Sequence, residues 1–203
     1  VGHSNLGFAD AMRRQHSKGA LGYFGIRHEG AAAFAASAYG KLTGRPAACF
    51  AIAGPGATNL LTGLWAADVD RAPVLALTGQ VPTHLIGRGA FQEVDLAAAF
   101  GGVAKYTAVA AKDSNFPEIA SLACKHAIVE QGVSHMVFPD DVQVVEAPET
   151  KAGSPEGRMT RREITPPKDS LDDAVKRIAE AKRPVIVVGH GARFVMEPVI
   201  SLA

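Results

Sequence analysis

Short apolar runs alternate along the chain with longer segments of helical periodicity. The apolar runs predict strands at residues 23–26, 47–52, 74–78, 105–109, 135–138 and 184–189. The helical segments predict helices at residues 5–14, 30–42, 57–68, 93–99, 116–131 and 171–182. Because the strands are apolar throughout rather than alternating, they are typical of parallel strands buried on both faces. The pattern therefore predicts an α/β fold, a doubly wound parallel sheet with helices on both faces.

The composition changes near Pro148, which indicates a domain boundary. We expect residues 1–147 to form one domain and residues 148–170, rich in proline, glycine and charge, to form a linker. Residues 171–203 regain a helix and a strand pattern and are expected to start a second α/β domain. The chain begins with Val1 rather than Met, so we expect the first domain to be truncated at its N-terminus.

The charges of the chain are almost balanced. Lysine and arginine number 21 and aspartate and glutamate number 20, giving a net charge of +1. This balance argues against a nucleic-acid-binding protein and against a basic membrane-surface protein. No charge lies between Arg45 and Asp68, which is long enough to span a bilayer, but the Gly-Pro-Gly of residues 54–56 would break such a helix. We therefore expect neither a nucleic-acid partner nor a membrane span.

Two cysteines, Cys49 and Cys124, both lie in apolar sequence. They exclude a disulfide scaffold and a cysteine-built zinc site, and free thiols indicate a reducing cytoplasm. The histidines are scattered without the spacing of metal ligands, so we predict no metal ligand within this chain.

Glu29 is the first candidate for chemistry, because it follows a predicted strand and opens a predicted helix. A glutamate in the first turn of a helix has an ordinary explanation, since it stabilises the helix dipole by under about 1 kcal/mol. However, the carboxyl ends of parallel strands are where α/β folds bind ligands. The residues after Glu29 are mostly alanine, so its carboxyl would be desolvated and easier to protonate, and a flat ring would have room to approach.

Two further loops follow predicted strands. Residues 54–59 read Gly-Pro-Gly-Ala-Thr-Asn, which is either a ligand-binding loop or a tight turn between strand and helix. This loop lacks the lysine of a P-loop and the spacing of a dinucleotide fingerprint. Residues 79–93 form the third loop. Because all three follow strands of one predicted sheet, we expect Glu29, the 54–59 loop and the 79–92 loop to line the same edge.

The motifs together resemble the N-terminal pyrimidine-binding domain of thiamine diphosphate-dependent enzymes, in particular the acetolactate synthase and pyruvate oxidase branch. The matching stretches occur in the order of the family and cover nearly all of residues 1–147. They are residues 2–6, 27–29, 38–40, 54–59, 72–74, 78–82, 91–93 and 138–142. Residues 183–189 resemble the entry to the central domain of the family.

The resemblance implies roles for named residues. It implies that Glu29 hydrogen-bonds N1′ of the aminopyrimidine of thiamine diphosphate and controls the proton that leaves C2 of the thiazolium. It implies a second catalytic position, near the reacting carbon, for Gln92. The positions that match cofactor-binding residues are Gly2, His3, Glu29, Gly54, Pro55 and Asn59. The sequence departs from the family pattern at two places. Ile52-Ala53 stands where many relatives have Thr-Ser, which removes a polar contact. Arg88-Gly89 stands where close synthases usually carry small or acidic residues.

The function implied by the resemblance is that of an enzyme acting on a 2-oxo acid such as pyruvate, either an acetolactate synthase-like carboligase or a pyruvate oxidase-like enzyme. It implies Mg²⁺ held by a domain missing from this chain, and it leaves open whether FAD occupies the central domain. It also implies a homodimer or homotetramer with the active site between subunits, so the chain alone should be inactive. A non-oxidative 2-oxo acid decarboxylase, an acyl-transferring relative and a non-catalytic phosphate-binding α/β module remain as alternatives.

A subunit interface is also suggested by the predicted helix at residues 57–68. It carries Leu60, Leu61, Leu64 and Trp65, which is more than one apolar face requires. We expect part of this helix to contact a second subunit.

Overall fold

The computed structural model describes residues 1–146, 153–160 and 164–203. The chain divides into two compact units, Val1–Thr160 and Arg161–Ala203, which are described separately.

The first unit is built on a sheet of four parallel strands. The strands are β1 (Ala47–Ala51), β2 (Val74–Gln80), β3 (Ala104–Val109) and β4 (Val133–Pro139). Their order across the sheet is β1-β2-β4-β3, and each neighbouring pair is parallel. The predicted α/β fold with a parallel sheet is therefore confirmed.

The described residues of the first unit form six α-helices, of which the first two precede β1 and the other four connect the strands. They are α1 (Leu6–Ser17), α2 (Glu29–Thr43), α3 (Pro55–Asn59), α4 (Leu61–Val69), α5 (Leu96–Phe100) and α6 (Phe116–Glu130). Local chemistry fixes their ends. The His28 ring accepts a hydrogen bond from the N–H of Gly30 and caps α2, and Gly44 ends α2 in the left-handed conformation with φ +68°. The single helix predicted at residues 57–68 is divided at Leu60, whose backbone remains right-handed helical.

The sheet is covered on both faces, because successive residues of each strand enter different apolar clusters. Val74 and Ala76 of β2 belong to a cluster that contains residues of α2, α3, α4 and α5. Leu77 of β2 belongs to a second cluster, which contains a residue of α6 and packs against Phe8 of α1. This alternation along a strand is what places helices on two sides of one sheet. Because β1 and β2 are parallel neighbours, their carboxyl ends lie at a common edge of the sheet.

The strand predicted at residues 23–26 is wrong. Phe24 is 83% exposed, and no residue of this segment pairs with a strand among the described residues. Its apolar residues gave the strand signal, but a strand also needs a ladder partner. Instead, the N–H of Tyr23 donates to Nδ1 of His16, at 3.2 Å.

In the second unit, residues 164–203 form two α-helices, α7 (Lys168–Glu180) and α8 (Met196–Leu202). The strand predicted at residues 184–189 does not form: Val185 is 86% and Val187 is 90% exposed, and residues 164–203 contain no other strand to pair with it. The second α/β domain thus stays a prediction. In the part of the chain that the structure describes, no helix is both long enough and apolar enough to cross a membrane.

Candidate functional site

The site begins at the first residue of α2, where Glu29 is half-buried. Asn59, the last residue of α3, donates from Nδ2 to Oε2 of Glu29 at 3.2 Å. The structure therefore joins two of the residues that the sequence singled out. No described residue donates a hydrogen bond to the other oxygen, Oε1 of Glu29, which leaves one carboxylate acceptor for a ligand.

The turn between β1 and α3 is shaped by two glycines. Gly54 has φ +65°, and a Cβ there would lie 2.7 Å from the carbonyl oxygen of Gln92. A Cβ on Gly56 would overlap Cγ2 of Ile52 and lie 3.2 Å from Oε1 of Glu29. Glycine is required at both positions, because the backbone approaches its neighbours too closely for a side chain. Pro55, between them, is exposed and occupies the start of α3.

Gln92 lies against this turn in a strained conformation. Its φ of +65° is in the left-handed region, which costs a residue other than glycine on the order of 1 kcal/mol. The loop before it is held by Glu93, which accepts hydrogen bonds from the N–H groups of Gly87 and Ala90. These bonds, that of Gly87 first, hold the pKa of Glu93 below its usual range. Arg88, in the same loop, is exposed.

The far side of this loop is tied to the turn that follows β4. Asp141 accepts hydrogen bonds from the backbone N–H of Thr83 at 2.8 Å and from its hydroxyl at 2.6 Å. Burial raises the pKa of Asp141, but the bonds from Thr83 and the nearby Lys112 outweigh it, so the pKa lies below its usual range. The loop is therefore anchored at both ends by carboxylates.

The N-terminal loop, residues 1–5 with a short 3₁₀ helix at His3–Asn5, reaches the same turn through Ile52. A Cβ on Gly2 would overlap Cδ1 of Ile52, and the Cγ2 of the same side chain lies against Gly56. Ile52 thus fills the space between Gly2 and Gly56. Sequence reasoning missed this role, because it treated the isoleucine only as a lost polar residue. His3, next to Gly2, is exposed.

The candidate residues are therefore linked by contacts rather than scattered. Glu29 meets Asn59 and Gly56, Gly54 meets Gln92, and Gly2 reaches the turn through Ile52. The structure shows no comparable contact for His3 or Pro55 within the described residues. In the same residues there is no group of three or more histidine, cysteine, aspartate or glutamate side chains that could hold a metal ion.

A parallel sheet with a glycine turn beside a helix-opening carboxylate defines a ligand-binding α/β domain. Residues 1–99 match the family described as "Thiamine pyrophosphate enzyme, N-terminal TPP binding domain". These residues belong to that family, and the resemblance found in the motifs is confirmed.

Curated relatives extend the similarity along the chain. The chain is 40% identical over 195 residues to "Probable acetolactate synthase large subunit" of Methanococcus aeolicus, covering 94% of this chain and 32% of the relative. It is 36% identical over 202 residues to "Acetolactate synthase" of Arthrospira platensis, covering 94% and 34%. It is 34% identical over 185 residues to "Pyruvate oxidase" of Lactiplantibacillus plantarum, covering 91% and 30%. The chain thus spans about a third of the length of these relatives.

Proposed function

We propose that this chain is the cofactor-activating domain of a thiamine diphosphate-dependent enzyme that acts on a 2-oxo acid such as pyruvate. The whole enzyme would be an acetolactate synthase-like carboligase or a pyruvate oxidase-like enzyme. The observation that carries the proposal is the Glu29 carboxylate, which Asn59 holds by one oxygen beside Gly56. In this proposal Glu29 and Gln92 are catalytic, and the other cofactor-binding residues are Gly2, His3, Gly54, Pro55 and Asn59.

The residues present fit an aminopyrimidine. A flat heterocycle needs close backbone approach, which the glycines at positions 54 and 56 allow, and a carboxylate acceptor, which Oε1 of Glu29 offers. When bound, thiamine diphosphate supplies the electron sink that cleavage of a 2-oxo acid requires. Glu29 would hold the proton at N1′ of the pyrimidine ring, while Asn59 keeps the carboxylate oriented.

Gln92 is proposed to contact the substrate. Its backbone lies against Gly54 in a conformation that costs energy, and such strain is concentrated at functional sites. Its amide can both donate and accept a hydrogen bond, so it can orient the carbonyl or carboxylate of a 2-oxo acid. The loop anchored by Glu93 and Asp141 keeps this residue in place.

The remaining cofactors are assigned outside the described site. We propose that residues beyond this chain hold Mg²⁺ and the diphosphate, because the described residues contain no metal-binding cluster and the relatives are about three times longer. If the whole enzyme is pyruvate oxidase-like, we propose that its central domain binds FAD. We propose a cytoplasmic location, which is supported by two cysteines that form no disulfide.

We propose a homodimer or homotetramer in which α2 and α4 contribute to the interface. Leu60 and Leu64 are fully buried and pack in the core of the same subunit. On the other side of α4, Trp65 is 49% and Val69 is 77% exposed, and Phe34 of α2 is also exposed. Exposed apolar side chains on two helices that pack together are typical of an interaction surface.

Among the alternatives, a phosphate-binding module is disfavoured by Glu29. A carboxylate 3.2 Å from the position of a Cβ on Gly56 would repel a phosphate bound at that turn. An aminopyrimidine, by contrast, gains a partner from it. A non-oxidative decarboxylase and an acyl-transferring relative use the same cofactor and stay as alternatives for the reaction of the whole protein.

The test is hydrogen–deuterium exchange at C2 of thiamine diphosphate bound to the full-length protein. Glu29→Gln keeps the shape of the side chain but cannot exchange a proton with N1′. We expect C2 exchange to slow by about 10²–10⁴-fold. Glu118→Gln is the matched control, because Glu118 also lies in the first turn of a helix, α6, and shares any dipole effect. If Glu29→Gln exchanged as fast as the parent, Glu29 would be only a helix-start carboxylate.

A further inference from the structure

A buried serine on the N-terminal loop forms a hydrogen bond with the start of the glycine turn between β1 and α3. Ser4 is 4% exposed, and its Oγ accepts a hydrogen bond from the backbone N–H of Ala53 at 3.0 Å. The two residues are 49 positions apart. Ala53 directly precedes Gly54, so this bond fixes the chain at the point where the turn begins.

Ser4 is itself held by a residue that follows β4. Gln143 donates from Nε2 to the carbonyl oxygens of Ser4, at 2.8 Å, and Phe138, at 2.9 Å. Its Oε1 accepts a hydrogen bond from the N–H of Phe8 at 3.1 Å. One amide side chain therefore joins the end of β4 to the N-terminal loop and to α1.

The end of β2 also touches Ser4. A Cβ on Gly79 would lie 2.6 Å from the carbonyl oxygen of Ser4 and 2.8 Å from its Oγ. Ser4 thus contacts chain segments at the ends of three strands, through Ala53 for β1, Gly79 for β2 and Gln143 for β4.

The contacts at Ala53 govern the geometry of the site one and three residues further on. Gly54 must keep a φ of +65° against Gln92, and Gly56 must lie close to Oε1 of Glu29. Without an acceptor, the N–H of Ala53 would be buried and unpaired, and the turn would move to find water or another partner. Such a movement would separate Gly56 from Glu29.

We propose that Ser4, held by Gln143, is a positioning residue that sets the glycine turn against Glu29 and so controls the affinity for the aminopyrimidine. This inference rests on the proposed function. It assigns no contact with the reacting atoms to Ser4, which acts through the backbone of Ala53.

The experiment compares Ser4→Ala with Ser121→Ala in the full-length protein. Ser121 is an equally buried serine, 4% exposed, whose Oγ donates to the carbonyl oxygen of Pro117 within α6. Both variants lose one buried hydroxyl, so their melting temperatures measure the general cost. Two readouts are specific to the turn: the apparent Kd of the apoprotein for thiamine diphosphate at saturating Mg²⁺, and the hydrogen exchange of the backbone amides of residues 53–56.

We expect Ser4→Ala to weaken thiamine diphosphate binding about tenfold and to speed amide exchange at residues 53–56, while Ser121→Ala changes neither. Gln143→Met, which removes the support of Ser4 and leaves its hydroxyl, should give the same two effects to a smaller extent. If Ser4→Ala does not fold, Gln143→Met decides the question by the same measurements.

Equal affinities and equal exchange in the Ser4 and Ser121 variants would overturn the inference. A parent protein that does not bind thiamine diphosphate would instead overturn the proposed function. In that case the amide exchange of residues 53–56 still shows whether Ser4 holds the turn.

Discussion

Asn59 and Glu29 are joined by a hydrogen bond of 3.2 Å from Nδ2 to Oε2, although they lie 30 positions apart in the sequence. The bond links the end of α3 to the start of α2. Because the amide occupies one oxygen, the carboxylate cannot rotate freely and Oε1 keeps a defined direction. The orientation of the proposed proton-transfer group is therefore set by a neighbouring side chain.

Replacing Asn59 should reduce the rate of C2 exchange without abolishing it. In Asn59→Ala the carboxylate loses its orienting hydrogen bond. We expect the rate of C2 exchange to fall about tenfold, as for the loss of one hydrogen bond to a charged group in a partly exposed site. Asn59→Asp should be worse, because two carboxylates at this distance repel each other. The measurement is C2 exchange in the full-length protein.

The chain offers a matched control for this prediction. Asn115 donates from Nδ2 to Oε2 of Glu118, also at 3.2 Å, at the start of α6. Asn115→Asp creates the same repulsion in a place without a candidate site and keeps the helix cap. Equal effects of Asn59→Asp and Asn115→Asp would show that the Glu29 contact has no special role.

Gly54→Ala should weaken thiamine diphosphate binding. We expect the loss of binding free energy to exceed the loss of unfolding free energy. The added Cβ is strained at φ +65° and would lie 2.7 Å from the carbonyl oxygen of Gln92, so the loop must move away from the turn. Gly19→Ala is the control, because Gly19 has φ +71° with no atom within 4 Å of a Cβ. The control carries only the conformational cost, about 1 kcal/mol. Affinity measured by titration of the apoprotein, together with the melting temperature, separates the two effects.

The sequence was sufficient to predict the type of fold and the segments that form the candidate site. Apolar runs located β1 to β4, and helical periodicity placed a helix start next to Glu29. The contacts within the site were not predictable in the same way. The Glu29–Asn59 pair and the Ile52 side chain between two glycines depend on how distant segments pack, which no local pattern encodes.

The strand at residues 23–26 was predicted wrongly for the same reason, because a local pattern does not encode contacts with distant segments. Its apolar residues satisfy the local signal, but strand formation depends on a neighbouring ladder that the sequence of the segment does not contain. Phe24, which the pattern places in a core, is instead among the most exposed apolar residues.

His135 should make the first unit sensitive to mild acid. It is fully buried, its ring stacks on Phe100 at 3.9 Å between centroids, and its Nε2 lies 2.9 Å from Oγ1 of Thr78. Burial lowers the pKa of His135 from 6.5 to about 3. The unfolded chain therefore takes up a proton below about pH 6.5, which the native chain does not until about pH 3, so the stabilisation is lost as the pH falls through this window.

We expect the free energy of unfolding to fall by about 2 kcal/mol between about pH 6.5 and pH 5 from this residue alone. Urea titrations at these two values provide the measurement. His135→Gln removes the titrating ring and should remove most of the difference, whatever its effect at neutral pH. If the free energy of unfolding of the variant kept its full pH dependence, other titrating groups would be the cause.

Val69→Asp should dissociate the proposed dimer. Val69 is 77% exposed on α4, so the substitution costs the single subunit little, but a carboxylate within an apolar interface is strongly unfavourable. We expect the dissociation constant from sedimentation velocity to rise by at least about tenfold. Val144→Asp, at a residue 75% exposed outside α2 and α4, is the control. A parent protein that sediments as a monomer at high concentration would contradict the proposed association.

The order of strands across the sheet determines when each can pair during synthesis. β1 and β2 are neighbours in the sheet and in sequence, so they can pair as soon as the helices between them have been made. β3 leaves the ribosome before β4, yet the strand it pairs with is β4. Until residues 133–139 emerge, the nascent chain carries β3 with unmet backbone hydrogen bonds beside an incomplete core. Parallel sheets closed by distant segments fold slowly, and this interval is where the nascent protein is most exposed to aggregation and most in need of a chaperone.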